Sequence, residues 1–340
     1  MKSILRYKRG LAILNDFKKA RVLVIGDLVM DHFIWGKVRR ISPEAPVPVV
    51  EVNSESLMLG GAANVVNNIH SLGGKVIVCG VIGRDEMGKN LVHELRTKGI
   101  SSDGVIVKEK RPTSVKTRVI AHSQQVVRFD RENKEKIHLD TMKNIMDYTK
   151  DKINSVDAIV ISDYAKGVIS EELVEEVITL AKKRGKPVAV DPKVSHFDYY
   201  KYATIVTPNN DEASQASGID IENNKGNKSL LRAGEMLLNK IGSDAVLITR
   251  GEHGMSLFES NGEITHIPTV AKEVYDVSGA GDTVIGTVAL AIASGASFKE
   301  AAVVSNFAAG VVVGKVGTAT VTPEEMKNAI KDGLSAKKLR

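Results

Sequence analysis

Short apolar runs alternate with longer helix-forming segments along most of the chain. The runs predict buried strands over residues 21–26, 75–80, 158–162, 188–190, 204–207 and 245–249. The longer segments predict helices over residues 62–72, 86–98, 171–184, 229–240, 283–293, 298–313 and 323–331. Strands that alternate with helices favour an α/β fold with a doubly wound, mainly parallel sheet and helices on both faces.

Two stretches interrupt this alternation. One is punctuated by prolines over residues 41–52, and the other has extended segments at 114–120 and 125–129 around a polar turn at His122 and Ser123. We expect about residues 36–52 and 112–130 to form a small β-lid that projects from the main sheet. Residues 1–340 would then make one domain with a frayed basic end.

The composition fits a globular protein with a large core. The chain has 340 residues, of which 43% are hydrophobic, and it contains no run of apolar residues long enough to span a membrane. The net charge of +6 comes from scattered lysines and arginines and aromatic residues make up only 4%, so we expect no nucleic-acid partner and no membrane partner. The single cysteine, Cys79, allows no internal disulfide, which fits the cytoplasm.

The strongest chemical pattern is a glycine-rich turn at the start of an apolar helix, formed by Gly279, Ala280, Gly281 and Asp282. The glycines leave the main chain open to a ligand, and the helix start offers free N–H groups and a positive dipole end, which suit a phosphate. Asp282 could take a proton from a hydroxyl that attacks phosphorus. A plain turn with Asp282 as a helix cap explains this segment equally well, so other segments must decide.

Polar residues cluster where the predicted strands end. Ligands of doubly wound sheets bind beyond the carboxyl ends of the strands, so we expect these clusters to meet there. Any one of them could be a helix cap or a turn, but together with the glycine turn they predict a binding site. The clusters are Asp27 with Asp31, Gly60 and Gly61 with Asn64, Asp163 with Lys166, Asp191 with Lys193, Asn209 with Glu212, and Thr249 with Gly251 and Gly254.

Four ordered motifs resemble the signatures of the ribokinase-like (PfkB) carbohydrate kinases. They are Gly60-Gly61-Ala62-Ala63-Asn64, then Gly80, Gly83, Asp85 and Gly88, then Asn209 with Glu212, and finally Gly279-Ala280-Gly281-Asp282. The resemblance covers about residues 20–325 and implies a ribokinase-like fold. Segments 40–49, 162–167 and 273–277 also resemble the heptose 7-phosphate kinases of this family. That resemblance implies ATP-dependent phosphorylation of D-glycero-β-D-manno-heptose 7-phosphate at O1, giving the 1,7-bisphosphate for ADP-heptose and lipopolysaccharide core synthesis.

The resemblance also implies roles for individual residues. Asp282 would be the catalytic base, beside an anion hole made by the amides of Gly279, Ala280 and Gly281. Glu212 and Asn209 would organise the ATP phosphates and a water-bound Mg²⁺, and the nucleotide pocket would be lined by Thr249, Gly251, Gly254 and Asn306. Sugar hydroxyls would contact Asp31, Gly60, Gly61, Asn64 and Asp163. The family's monovalent-cation site, for which K⁺ is a candidate, is resembled by Asp276 and Ser278 with the turn at 315–317.

The phosphate of the substrate needs a basic partner, and a guanidinium suits it because it can donate two parallel hydrogen bonds. The candidates in or near the lid are Arg39, Arg40, Lys116, Arg118 and Arg128, although surface solubility is the competing explanation for any one of them. Lys166 and Lys193, at strand ends, are better placed. We expect one of these two near the transferring phosphoryl group or the sugar phosphate.

Many relatives carry a second, nucleotidyltransferase domain with an His-x-Gly-His motif, which this sequence lacks. We therefore expect a kinase domain alone. Exposed lid strands favour a homodimer through the lid. Two alternatives stay open: a kinase of the same family for another sugar or sugar phosphate, and a non-catalytic sugar-phosphate sensor. The second is disfavoured because a binder needs no base beside a phosphate organiser.

Overall fold

The computed structural model describes residues 1, 3–122, 124–222, 227–271 and 273–334. The strands are β1 (Arg21–Gly26), β2 (Leu28–Ile41), β3 (Pro48–Gly61), β4 (Lys75–Gly83), β5 (Gly104–Lys108), β6 (Ser114–Ala121), β7 (Gln124–Arg131), β8 (Ala158–Ser162), β9 (Val188–Asp191), β10 (Ile205–Val206), β11 (Ala245–Thr249), β12 (Met255–Glu259) and β13 (Ile264–Ile267). The helices are α1 (Tyr7–Asp16), α2 (Ala62–Ser71), α3 (Glu86–Thr97), α4 (Leu139–Lys152), α5 (Glu171–Lys183), α6 (Asn210–Ser217), α7 (Lys228–Ile241), α8 (Ala280–Ala293), α9 (Phe298–Val312) and α10 (Pro323–Leu334).

The larger sheet has nine strands in the order β13-β12-β11-β10-β9-β8-β1-β4-β5. Neighbours from β11 to β5 run parallel, and only β12 and β13 are antiparallel additions at one edge. The chain starts the sheet at β1 and extends it in both directions, through β4 on one side and β8 on the other. Such a reversal opens a crevice at the carboxyl ends of the strands, where ligands bind in folds of this kind.

Two apolar cores cover the two faces of this sheet. On β1, Val22 and Val24 point into one core and Leu23 and Ile25 into the other, as the alternation of a strand requires. The first core takes its helical side chains from α1, α2, α3, α8, α9 and α10, and the second takes them from α4, α5, α6 and α7. Helix α8 is buried continuously from Asp282 to Ala291, so its first turn is held firmly in place. This arrangement confirms the predicted doubly wound fold.

The smaller sheet, which we call the lid, has the strand order β3-β2-β6-β7. It is larger than predicted. Strand β2 begins at Leu28, directly after β1, and β3 continues to Gly61, directly before α2. The bounds 36–52 and 112–130 were too narrow because the near ends of β2 and β3 are apolar and buried, through Met30, Phe33 and Leu59, and no polar break separates them from the main sheet.

Two predicted features lie outside the described residues. They are Ser123 of the polar turn in the lid and the basic segment 335–340 at the end of the chain. Among the helices that the structure describes, none has the length and apolar character needed to cross a membrane.

Candidate active site

The glycine turn lies at the carboxyl edge of the main sheet, where α8 begins. Gly279 caps the helix with a φ of +77°, a left-handed angle that favours glycine. A Cβ at Gly279 would lie 2.8 Å from Nδ2 of Asn64, so the turn also packs too closely on Asn64 for a larger residue. The geometry therefore explains Gly279 by both its backbone angle and its neighbour.

The carboxylate of Asp282 points inward from the first turn of α8 and is only 4% exposed. Its Oδ2 accepts a hydrogen bond of 2.7 Å from Nδ2 of Asn64, and its Oδ1 accepts one of 2.5 Å from the hydroxyl of Tyr164. Burial raises the pKa of Asp282 to about 6, against these two hydrogen bonds, which lower it. A carboxylate of this kind is ionised near neutral pH and is a stronger base than an exposed one.

Asn64 holds the base and is itself held by a chain of amides. Asn68 donates from Nδ2 to the main-chain oxygen of Asn64 over 2.9 Å, and Thr283 donates from Oγ1 to Oδ1 of Asn68 over 2.9 Å. These bonds join α2 to α8. We predicted a sugar contact for Asn64; the structure uses one of its amide hydrogens on Asp282, and the sugar contact stays a prediction.

The loop after β8 presents Tyr164 to the base. Buried Asp27, at the end of β1, accepts hydrogen bonds from the main-chain N–H groups of Tyr164, Lys166 and Val168 at 2.9, 3.0 and 3.1 Å. Asp27 therefore holds this loop in place and does not line an open pocket. No local pattern in the sequence indicates the Tyr164–Asp282 contact, because its partners are 118 positions apart.

The carboxylate of Asp163 also anchors this loop. Its Oδ2 is 2.7 Å from Nδ1 of His196 and accepts a hydrogen bond of 2.7 Å from the hydroxyl of Tyr200, while its Oδ1 accepts one of 2.7 Å from the N–H of Ala165. The predicted sugar contact of Asp163 stays a prediction, and three protein groups already engage this carboxylate.

The lid brings opposite charges to the other side of the base. Arg118 of β6 donates from Nη1 to Oδ1 of Asp31 of β2 over 2.5 Å. Gly60 lies beneath this pair, and a Cβ there would be 2.3 Å from Oδ2 of Asp31, so the close approach requires glycine. Lys116 places its Nζ 4.8 Å from the ring centre of Tyr164. Gly61, the last residue of β3, adopts a φ of +53° where the lid passes into α2.

The other predicted phosphate ligands are more scattered. Lys166 forms an ion pair with Glu132 next to the lid, and Arg128 pairs with Asp130 over 3.0 Å. Arg40, far along β2, and Lys193, beyond the end of β9, are exposed. Of the basic candidates, Arg118 pairs with Asp31, and Lys116 lies where the charges of Asp31 and Asp282 act on it. Desolvation lowers the pKa of Lys116, against these two carboxyls, which raise it.

A cavity of about 420 Å³ lies beside the glycine turn and is lined by residues of α8, α9 and the segments around β11 and β12. All four predicted nucleotide residues line it together with the turn: Thr249, Gly251, Gly254 and Asn306, beside Ala280 and Gly281. Asn306 is fixed by a hydrogen bond of 2.8 Å from its Nδ2 to the oxygen of Pro268. The cavity walls are otherwise mostly apolar, as a nucleobase pocket requires.

Asn209 and Glu212 cap helix α6 reciprocally. Oδ1 of Asn209 accepts from the N–H of Glu212 over 2.9 Å, and Oε2 of Glu212 accepts from the N–H of Asn209 over 3.0 Å. This is the capping arrangement that competed with a functional explanation. Glu212 is partly buried, and desolvation raises the pKa of its carboxyl.

Asp191 is a residue to which the sequence assigned no role beyond its strand end. Desolvation raises the pKa of Asp191 well above its ordinary value, and the charges of Asp282, Glu212 and Asp163 raise it further. Its carboxyl therefore belongs to the same acidic group as the base. Within the described residues no three His, Cys, Asp or Glu side chains gather into a metal-holding cluster. Mg²⁺ does not require one, since it binds one or two carboxylates and completes its shell with water and phosphate oxygens.

The loop before the glycine turn is tied to the turn after α9. Oδ1 of Asp276 accepts from the N–H of Ser278 over 2.8 Å, and its Oδ2 accepts from the N–H of Gly317 over 2.9 Å. Desolvation raises the pKa of Asp276, but these hydrogen bonds outweigh it and hold the pKa below its ordinary value. The structure thus brings together the segments predicted to form a monovalent-cation site.

A buried carboxylate at a glycine-rich helix start, beside a four-stranded lid and a cavity, is the arrangement expected of a phosphotransferase of ribokinase-like fold. Residues 19–325 match the family model described as pfkB family carbohydrate kinase, and the chain belongs to that family.

Among its relatives, the chain is 50% identical over 309 residues to the bifunctional protein HldE of Geotalea uraniireducens. That match covers 91% of this chain and 62% of the relative, so the chain spans less than two thirds of the relative's length.

Solved structures show the same fold at lower identity. Arabidopsis thaliana ribokinase complexed with ribose and ATP has a TM-score of 0.69 at 19% identity, over 94% of this chain and 99% of that one. Phosphofructokinase-2 from Escherichia coli in complex with potassium has a TM-score of 0.76 at 19% identity, over 93% and 100%.

Proposed function

We propose that this carbohydrate kinase transfers the γ-phosphoryl group of ATP to O1 of D-glycero-β-D-manno-heptose 7-phosphate. The observation that carries the proposal is Asp282, a buried carboxylate fixed by two donors between the lid and the cavity beside the glycine turn. Two findings support this acceptor: the identity to HldE and the segments 40–49, 162–167 and 273–277, which resemble heptose 7-phosphate kinases. The product would serve ADP-heptose and lipopolysaccharide core synthesis.

In this mechanism Asp282 accepts the proton of the attacking hydroxyl, and its raised pKa makes it a base suited to neutral pH. The N–H groups of the glycine turn face the phosphates and stabilise the charge that develops during transfer. Asp191 and Glu212 would hold Mg²⁺, which neutralises phosphate charge when bound. The residues of the chain itself thus provide the base and the anion hole.

The lid supplies the acceptor side. The Asp31–Arg118 pair can accept from one sugar hydroxyl and donate to another oxygen, which apolar walls cannot do. Arg118 and Lys116 also provide positive charge for the substrate phosphate. Closure of the lid over the sugar would exclude water, the competing acceptor.

The nucleotide side is tested by Gly281→Ala. Among the described residues no atom lies within 4 Å of a Cβ at Gly281, so the fold should tolerate the methyl group. Because Gly281 lines the cavity, the methyl group should obstruct the phosphates, and we expect the KM for ATP to rise about tenfold. Initial rates at varied ATP measure this, with the KM for the sugar as internal control. An unchanged KM for ATP would mean that ATP does not bind in this cavity.

The acceptor is tested by ADP release in a coupled assay. The panel contains heptose 7-phosphate in both anomers, a hexose 6-phosphate, and the two free sugars. We expect kcat/KM to be highest for the β-anomer of the heptose 7-phosphate. A preference for a free sugar would reject the heptose 7-phosphate and leave a kinase for another sugar. Tight binding of sugar phosphates with no ADP release would favour the sensor.

Three further assignments belong to the same proposal. The Asp276 loop, joined to Gly317, is the candidate site for K⁺. The lid edge β7 is exposed along its whole length, including Val127 and Phe129, which supports a homodimer through the lid. The cytoplasm, where ATP is available, is the location that we propose.

A further inference from the structure

The hydroxyl of Tyr164 donates a hydrogen bond of 2.5 Å to Oδ1 of Asp282, which is shorter than the bond that Asn64 donates to Oδ2. We propose that Tyr164 is a positioning residue for phosphoryl transfer: its hydroxyl fixes the orientation of the Asp282 carboxylate and keeps that carboxylate ionised. The inference rests on the proposed role of Asp282 as the base. It adds a function for a residue that the glycine turn and the family motifs do not contain.

The loop that carries Tyr164 is built to hold one conformation. The carboxylate of Asp27 accepts hydrogen bonds from three main-chain N–H groups of this loop, and the carboxylate of Asp163 accepts a fourth from the N–H of Ala165. Ala165 has a φ of +51°, a left-handed angle that is strained for a residue with a side chain. A strained conformation persists only where surrounding contacts determine it, and here those contacts set the position of the neighbouring tyrosine.

The ring of Tyr164 is fixed from the lid as well. Lys116 of β6 places its ammonium 4.8 Å from the ring centre, in a cation–π contact. The hydroxyl is thereby aimed at Oδ1, while Asn64 of α2 holds Oδ2. Each carboxylate oxygen can accept two hydrogen bonds and accepts one from these donors, so a lone pair remains for the proton of an incoming sugar hydroxyl.

Tyr164 can donate but cannot replace the base. Desolvation raises the pKa of Tyr164 well above its ordinary value, and the charge of Asp282 raises it further. The phenol therefore stays protonated at any working pH. A neutral donor to a carboxylate stabilises the ionised form and lowers the pKa of that carboxyl. Of the groups that lower the pKa of Asp282, Tyr164 comes first, followed by Asn64 and Lys116.

Other charges face the base from each neighbouring element. Asp31 of β2 and Asp191 of β9 are acidic and oppose ionisation, whereas Lys116 of β6 favours it. Arg118 is neutralised in part by its pair with Asp31. All of them remain in place when only the phenol oxygen is removed, so Tyr164→Phe isolates the contribution of one hydrogen bond.

The test compares kcat/KM from pH 5 to 9 for the wild-type kinase and Tyr164→Phe. Removal of the donor should raise the pKa of Asp282, so the acid limb should move up by about one pH unit, the size expected for a hydrogen bond to a charged group. The loss of activity should then be about fivefold greater at pH 6 than at pH 8.5. Substrate phosphates also titrate near pH 6, but they do so equally for both proteins.

The matched control is Tyr148→Phe, which removes the same oxygen from a residue of α4 whose ring packs against Gly104 of β5, away from Asp282. Its acid limb should coincide with that of the wild type. A readout independent of turnover is the carbon-13 signal of the aspartate carboxyls, in which Asp282 is identified by its loss in Asp282→Asn. Its titration should move upward in Tyr164→Phe.

The outcomes distinguish a failure of the proposed role of Asp282 from a failure of the inference about Tyr164. If Asp282→Asn keeps wild-type turnover, the proposed function of Asp282 fails. If Asp282→Asn is inactive but Tyr164→Phe loses activity equally at every pH, with the carboxyl titration unmoved, Tyr164 is only structural and the inference fails. Should Tyr164→Phe not fold, 3-fluorotyrosine is incorporated instead. Its more acidic phenol donates more strongly, so the limb should move to lower pH, and an unmoved limb would overturn the inference.

Discussion

Asp282→Asn is expected to reduce kcat by about 10²–10⁴ while ATP binding stays nearly unchanged, because an amide cannot accept the hydroxyl proton. The substitution suits the site. An asparagine oxygen can still accept from Asn64, and its amide can donate to the hydroxyl of Tyr164, which can turn to accept. The measurement is single-turnover phosphoryl transfer together with nucleotide binding by calorimetry.

The same variant should be more stable than the wild type at pH 8. The folded pKa of Asp282, about 6, is above the ordinary value of 3.8, so the folded state binds more protons than the unfolded state between these values. Stability is therefore lost as the pH rises from about 4 to 6, by on the order of 2–3 kcal/mol. Removing the ionisable group should recover part of this in thermal unfolding. A variant with full turnover, or one with lower stability at pH 8, would contradict the assignment of a buried base.

Gly279→Ala is expected to reduce kcat roughly 10–100-fold. A Cβ at Gly279 would lie 2.8 Å from Nδ2 of Asn64, closer than a carbon can approach, so the Asn64 amide must shift away from Asp282. The base would then lose one of its two donors, and the anion hole would be displaced with the turn. The φ of +77° adds a strain of about 1 kcal/mol. Initial rates at saturating ATP and sugar measure the loss.

Gly99→Ala is the matched control for this prediction. Gly99 also has a left-handed φ, +74°, but among the described residues no atom lies within 4 Å of its added Cβ. Gly99→Ala should lower the free energy of unfolding by about as much as the backbone strain does in Gly279→Ala, and it should leave kcat unchanged. Equal kcat for both variants would mean that Asn64 does not depend on Gly279 for its position.

The main-sheet elements were predictable because each buries a repeated apolar pattern. Helices such as α5 and α7, and strands β1, β8 and β11, lie within two residues of their predicted bounds. Helix α4 was missed because two of its four buried positions are threonines, Thr141 and Thr149, which weaken the apolar pattern. The short strands β5 and β13 at the sheet edges were missed as well, since half-exposed edge strands carry little hydrophobic signal. Strand β12, beside β13, was also missed, although four of its five residues are buried.

The part of the candidate site that could be predicted is the part that lies at strand ends or in the glycine turn. The sequence located Asp282 and the four cavity residues, because their positions follow from local motifs and from the edge of the sheet. It could not show that Asn64 and Tyr164 hold the base, since these contacts join residues 218 and 118 positions apart. Nor could it show that Asp163 faces His196 and Tyr200, which depends on how the segment after β9 folds back.

Under the proposed function, the lid would recognise the sugar and the main sheet with its helices would recognise the nucleotide. Asp31, Gly60 and Arg118 belong to the lid, whereas the cavity beside Gly281 belongs to the main sheet and its helices. The lid is inserted as two uninterrupted pieces, Leu28 to Gly61 and Ser114 to Arg131. Transplanting those two pieces from a kinase with another acceptor would exchange the choice of sugar and leave the phosphate donor untouched.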